Sequence, residues 1–262
     1  MEIKNIILGV TPPEYIECEA LGVTLAHLCY KISPSGRLIR FSRVPSKHLS
    51  GGIMGILASG KDILRINHET LCRDIISEMT MRSFDGIFAD FYGEFSPVLS
   101  SFLAELDRQA ESRSMALYVN KAYASCTEHA KVLLQSDISG GSYSMYLSEM
   151  KQSIGDRLCL EIVPVCTEFL LPSMSSAGNP LTRTELDELM NKLDPMPFFS
   201  RELCAKYFTY MDADNKAHFV LYDDAYTIKV KMQKAENMNI CPMFMLYSEV
   251  REFLGEIMVE SE

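Results

Sequence analysis

Phe84-Asp85-Gly86-Ile87-Phe88-Ala89-Asp90-Phe91, continued by Tyr92-Gly93-Glu94, is the stretch on which the fold turns. It is an apolar run of strand length that carries acids. Residues two apart along a strand point to one face, so Phe88, Asp90 and Tyr92 share a side, and Glu94 joins them if the strand continues. Upstream, Leu71, Ile75, Ile76 and Met79 recur at helical spacing within Asn67 to Met81. Downstream, Ser96-Pro97 opens an amphipathic helix within Phe95 to Glu111, and Met115 to Asn120 is again a strand. The rhythm of strand, helix, strand predicts a parallel sheet wrapped by helices.

The same alternation runs outward in both directions. Towards the N-terminus, Asn5 to Val10 and Val23 to Ile32 read as strands, with a short helix from Pro13 to Leu21 between them. Pro34-Ser35-Gly36 is a turn leading to an extended piece, Arg37 to Val44, and Gly51 to Ser59 is a further strand. Towards the C-terminus, Thr127 to Gln135 reads as a helix, Ser136 to Ser142 as a short strand or loop, and Met145 to Ile154 as a helix. Arg157 to Leu171 holds the longest β-like run, with Cys159, Glu161 and Val163 on one face. Thr182 stands three residues before Glu185, a capping-box start for a helix to Leu193. Leu203 to Tyr210 and His218 to Leu221 form a hairpin around Asp212-Ala213-Asp214-Asn215, giving a β-hairpin near 203–221. A helix from Tyr226 to Met238 and a strand from Cys241 to Tyr247 follow, and Val250 to Met258 closes the chain.

With 262 residues, 47% of them hydrophobic and 23% charged, the chain is the size of one (β/α)8 barrel. The expectation is therefore a single-domain α/β TIM barrel over residues 1–262. Its net charge of −10 repels phosphate backbones and anionic membranes, so neither nucleic acid nor a membrane is expected as a partner. The apolar start, Ile6 to Val10, is too brief for a signal segment or a membrane span, which places the chain in the cytoplasm. The eight cysteines are scattered without CxxC spacing and read as buried reduced thiols. The five histidines, His27, His48, His68, His129 and His218, are dispersed too, so no metal and no cofactor is expected.

The Asp85 to Glu94 stretch resembles the fourth-strand D-G-x-D-x-D-x-E motif of chitinase-like glycoside hydrolases of family 18. A second stretch, Val220-Leu221-Tyr222-Asp223-Asp224-Ala225-Tyr226-Thr227-Ile228-Lys229, is similar to that family's approach to its last helix and strand. The strand from Thr24 to Tyr30, with the Pro34 to Leu38 turn after it, resembles the family's second strand. The resemblance implies a (β/α)8 barrel whose site opens at the C-terminal ends of the strands. It also implies a glutamate closing the motif as proton donor, with the preceding aspartate orienting the substrate's own N-acetyl oxygen, an exception to the two-carboxylate scheme. Family proteins of spore-forming bacteria extend the implied role to the cell wall and sporulation.

The match is incomplete. Asp85, Gly86 and Asp90 fit the motif, but Phe88 stands at its second acidic position and Tyr92 at the donor's. Glu94 lies two residues further on, a displacement of ~6.6 Å along a strand, more than proton transfer tolerates. The chain has no tryptophan, where the family places one on the last strand, so stacking on a sugar would fall to Tyr247 or a neighbour.

The candidate catalytic groups are Asp90, Glu94 and Glu161. Asp90 reads as a site carboxylate or a loop-bonding one; Glu94 as a relocated acid or as charge before a helix N-terminus. Glu161, among apolar residues, is either an acid of raised pKa or half of an ion pair. Tyr92, Asn120, Glu168, Tyr247 and Glu249 fall near strand ends and are the candidate binding residues. Asp223 and Asp224 read as helix caps. Two functions follow: a carbohydrate- or protein-binding barrel without its acid, a pseudoenzyme, or an active glycoside hydrolase using Glu94 or Glu161 with Asp90 on an N-acetylglucosamine-containing or cell-wall glycan. A barrel enzyme of another chemistry is the third.

Overall fold

The computed structural model describes residues 5–41, 49–172 and 178–258. From the N-terminus, β1 (Ile6–Val10) passes through α1 (Tyr15–Cys18), flanked by 3-10 turns, into β2 (Thr24–Ile32). A short β3 (Leu38–Arg40) folds back antiparallel on β2. Then come β4 (Ile53–Ser59), α2 (His68–Arg82), β5 (Gly86–Tyr92), α3 (Pro97–Glu111), β6 (Ala116–Asn120), β7 (Lys131–Gln135), α4 (Tyr143–Ile154) and β8 (Leu158–Ile162). A second group follows: β9 (Cys166–Leu171), β10 (Asn179–Pro180), α5 (Arg183–Leu193), β11 (Phe198–Ser200), β12 (Ala205–Met211) and β13 (Ala217–Tyr222). The chain returns through α6 (Ala225–Asn237) to β14 (Met243–Leu246) and α7 (Tyr247–Met258).

Parallel ladders join β1, β2, β4, β5, β6, β7, β8 and β14 in turn, and β14 pairs back onto β1, with Ile6 opposite Met243. The sheet has closed into an eight-stranded barrel. Alternation along each strand divides its apolar residues between two cores. Ile7, Ala26, Leu28, Ile53, Phe88, Tyr118, Leu133, Cys159 and Phe244 fill the barrel, while the opposite faces pack under the helices. Phe88 and Phe244 meet with ring centroids 4.4 Å apart, and burying each such ring contributes roughly 1.5–3 kcal/mol. Gly86 is required by proximity: a Cβ there would lie 2.9 Å from the Ala116 carbonyl oxygen.

Helix starts are set locally. Asn67 accepts a hydrogen bond from the Thr70 N–H at the start of α2, Ser96 caps α3 ahead of Pro97, and Thr182 with Glu185 forms the expected capping box on α5. Asp224 caps α6, as its position before that helix suggested.

Several boundaries differ from the sequence reading. Thr127 to Gln135 is not a helix: its second half is β7, whose Val132, Leu133 and Leu134 are all buried. A barrel strand covered on both faces shows a continuous apolar run, which periodicity cannot tell from a buried helix. The run from Arg157 to Leu171 is two strands in different sheets, β8 in the barrel and β9 outside it, parted at Val163-Pro164. The hairpin near 203–221 exists as β12 and β13, but it is the centre of a five-stranded antiparallel sheet ordered β10-β9-β13-β12-β11. Beyond Phe41, the extended piece expected to reach Val44 lies outside the described residues, as does His48.

One buried ion pair fastens the second sheet to the barrel. Asp223, at the end of β13, takes the Lys231 ammonium at 2.6 Å, and both side chains are fully buried. The same carboxylate accepts the Val165 N–H at 2.8 Å and the Thr227 hydroxyl at 2.8 Å. Asp223 therefore ties the β8–β9 link to α6, a larger role than capping. All eight cysteines are free thiols, five of them buried and Cys241 exposed. No described helix is long and apolar enough to cross a membrane.

Candidate functional site

The interior faces of the barrel strands end, at the C-terminal mouth, in a set of polar side chains. Above the Phe88 and Phe244 pair, β5 carries Asp90 and then Tyr92, β6 ends in Asn120, β7 in Gln135 and β8 in Glu161, each in phase with an apolar interior residue two positions earlier. Asn120 Oδ1 accepts the Phe91 N–H at 3.0 Å, and its side chain also bonds Asp90, locking β5 and β6 at the rim. The register puts Gln135 directly opposite Glu161. Gln135 is exposed, so the buried carboxyl lies next to open solvent.

Glu161 is 6% exposed, and its Oε2 has no hydrogen-bond partner. Burial, helped by the nearby charges of Asp90, Glu249 and Asp137 and opposed by a hydrogen bond from Gln135, pushes its carboxyl up to about 7. Asp90, half-buried, is raised by burial against the stabilising bond from Asn120. Glu249, on the first turn of α7, is raised by partial loss of water and by the Asp137 and Asp90 charges. The charges of Asp90 and Asp137 thus act on both Glu161 and Glu249 at the mouth, and that of Glu249 acts on Glu161. Among the described residues, no salt bridge joins any of them to a lysine or arginine. Of the two readings of Glu161, an acid of raised pKa or half of an ion pair, the first matches this environment.

The other sequence candidates fall elsewhere. Tyr92 is at the lip, 53% exposed. Glu94 follows Gly93, whose φ of +81° turns the chain off the strand, and its exposed carboxylate pairs with Lys61 at 3.1 Å, beyond the end of β4. Glu168 lies on β9 in the antiparallel sheet, on the face that α5 covers, where it accepts hydrogen bonds from Tyr210 and His218. Tyr247 starts α7, packs into the layer outside the barrel and donates its hydroxyl to Glu17 at 2.9 Å. The last-strand side chain that follows Phe244 on the interior face is Leu246. Asp85 is at the opposite end of β5, where it accepts the Gly52 N–H at 3.2 Å and fastens β4 to β5.

Sequence reasoning missed Gln135 and Asp137, because the strand that presents them was read as a helix. It also passed over the rim cavity of about 490 Å³ between the β8–β9 link and the start of α7, lined by Val163, Val165, Arg183, Asp223, Ser248 and Glu249. Among the described residues no group of three or more His, Cys, Asp or Glu side chains is placed to hold a metal ion.

No protein-family profile and no curated protein matches this sequence. Solved structures do match in shape. The spore cortex-lytic enzyme SleL of Bacillus megaterium aligns over 93% of this chain and 70% of its own, with a TM-score of 0.62 and 14% identity. A chitinase from Chromobacterium violaceum aligns over 96% and 97%, with a TM-score of 0.67 and 14% identity. A GH18 chitinase mutant from Cycas revoluta, in complex with (GlcNAc)4, aligns over 97% and 98%, with a TM-score of 0.63 and 12% identity. Coverage of nearly the whole chain at such low identity is a likeness of architecture, and the chain has the chitinase-like (β/α)8-barrel fold of glycoside hydrolase family 18.

Proposed function

We propose that the barrel mouth binds an oligosaccharide without cleaving it. The observation that carries this reading is Tyr92, a phenol at the lip of β5 where the motif calls for a proton-donating glutamate. The carboxylate two residues on, Glu94, is exposed beyond the turn at Gly93 and pairs with Lys61. Below the lip, Phe88 fills the motif's second acidic position and packs on Phe244, so no acid lies beneath Asp90 to pass it a proton. What remains suits binding: Tyr92, Asn120, Asp90 and Gln135 offer hydrogen-bond groups around an opening whose floor is apolar, the usual make-up of a small-molecule site. Calorimetric titration with (GlcNAc)4 tests it. Binding without turnover is expected, with Tyr92→Ala weakening it roughly tenfold, about 1.4 kcal/mol. Turnover of (GlcNAc)4 that disappears in Asp90→Asn would overturn it.

One observation favours the hydrolase reading. Glu161 is a buried carboxyl held up to about 7 beside the Asp90 charge, and paired carboxyls whose environments differ are how glycosidases divide acid and base roles. On that reading the acid is Glu161 and not Glu94. Turnover lost in both Glu161→Gln and Asp90→Asn, yet kept in Glu94→Gln, would establish it.

A further inference from the structure

Among the described residues no lysine or arginine forms a salt bridge with the carboxylates at the mouth, and this selects a ligand. Glu161 from β8, Asp137 just beyond β7 and Glu249 at the start of α7 come from three adjacent staves of the barrel, and Asp90 from β5 is near enough to add its charge. Among the described residues, burial and the Asn120 hydrogen bond act on Asp90, and burial with the Asp137 and Asp90 charges acts on Glu249. Around the nearby rim cavity, Arg183 is engaged by Asp187, Glu252 and the ring of Phe253. Glu161 Oε2 is buried within the barrel without a partner, and an unsatisfied buried acceptor costs about 1–3 kcal/mol. Such an atom, one strand away from the exposed Gln135, has a place for a donor.

We infer that the mouth selects a cationic amino sugar, a glycan carrying a free ammonium in place of an N-acetyl group, with Glu161 as the principal acceptor and Asp90, Asp137 and Glu249 as the surrounding field. The inference rests on the proposed glycan binding and names its substrate class. An ammonium supplies three donors and one positive charge, which match an orphan acceptor in an uncompensated negative field. An acetamido group supplies one donor and no charge, and its carbonyl would face carboxylates. The four acids stand on separate elements around the opening, and none of them belongs to a cluster with metal-ligand geometry among the described residues, so a hydrogen-bonding organic cation fits them better than a bare metal ion.

The proton balance gives a distinctive signature. In the empty site Glu161 holds its proton to about pH 7. An ammonium bound at Oε2 favours the ionised carboxylate, so at about pH 6, below the ordinary pKa range of amines, binding releases up to about one proton to the buffer.

The experiment is calorimetric titration of the full chain with the glucosamine tetramer (GlcN)4 and with (GlcNAc)4, at that pH and in two buffers of different ionisation heat. The expected result is (GlcN)4 binding roughly tenfold or more tighter than (GlcNAc)4, with proton release. In Glu161→Gln, checked for folding by its thermal melt, the preference should shrink to within about twofold and the proton release should vanish. Glu249→Gln, at an exposed position, should cut the preference several-fold and serves if the first variant fails to fold. Equal binding of the two glycans, or tighter binding of (GlcNAc)4, overturns the amino-sugar inference and leaves glycan binding standing. Spermine binding as tightly as (GlcN)4 also overturns it, since the acids would then be attracting any polycation. Absence of binding by either glycan overturns both readings.

Discussion

At the scale of the residue, Glu161 joins sequence, energetics and function most directly. Its carboxyl titrates at about 7 in the fold against about 4.3 in an unfolded chain, so the folded state keeps a proton that the unfolded chain gives up. The stability this group contributes is fully present below about pH 4 and falls as pH rises towards 7. Glu161→Gln cannot ionise and loses that slope. Urea denaturation should show the variant more stable than the parent at about pH 8, by up to roughly 4 kcal/mol, and close to it at about pH 4. Equal stability at both pH values would mean that Glu161 is solvated or paired. The sequence made Glu161 a candidate through one acid among apolar neighbours; its missing partner and its acidic surroundings come from β5, β7 and α7. Tyr92 and Asn120 were legible as strand-end residues from alternation alone. Tyr247 was legible as an aromatic near the last strand end, but α7 begins at that residue and carries its ring into the outer layer, leaving Leu246 on the interior face.

At the scale of the element, caps and buried ties decide where helices begin and how the two sheets hold together. Asp224 accepts the Thr227 N–H at 3.0 Å and also pairs with Lys206, so Asp224→Ala should cost about 1 kcal/mol in a thermal or urea melt. The Asp223 and Lys231 pair is a larger matter. Lys231→Met leaves a buried carboxylate without its cation and should destabilise by about 3–5 kcal/mol. Asp223→Asn in the same chain should recover part of that loss, and a double-mutant cycle in urea measures how much. Additive losses would show that the pair is not coupled. β7 illustrates why an element can be misread. Its five residues, KVLLQ, follow a polar stretch that suits a helix, and only placement between β6 and β8 makes them a strand.

At the scale of the whole molecule, charge and architecture act together. A net charge of −10 surrounds a mouth already lined with carboxylates, so a cationic glycan is drawn by long-range attraction that salt screens. Raising sodium chloride from about 0.05 to about 0.5 M should weaken (GlcN)4 binding several-fold and leave (GlcNAc)4 binding nearly unchanged. Equal salt dependence for both would argue against a charge-selective mouth. The antiparallel sheet after β8 adds an aromatic row along one face, in which Phe169, Phe219, Tyr207 and Phe198 follow one another at centroid distances of 6.0, 5.3 and 5.7 Å. Glu168, on the other face, binds His218 and Tyr210 and so holds strands together away from the barrel opening. The chain order of strands and helices was enough to infer a closed parallel barrel, because alternating βα units have few other ways to bury both faces of a sheet. The second sheet was reduced to its central hairpin, because β9, β10 and β11 are short strands whose partners are distant in sequence.

What the sequence determined by itself was local: the period of the strands, the helix caps at Asn67, Ser96, Thr182 and Asp224, the acids missing from the fourth-strand motif, and the parity that sets Asp90 and Tyr92 on one face. What only the tertiary structure decided was company: that Asp90, Asp137 and Glu249 come near Glu161 with no salt bridge to a lysine or arginine among the described residues, that Glu94 pairs with Lys61 and Glu168 joins the second sheet, and that Leu246 takes the interior place at the end of the last strand. The division has a physical cause. Backbone sterics and capping act within a few residues, whereas burial and charge depend on which strands the barrel's closure brings together.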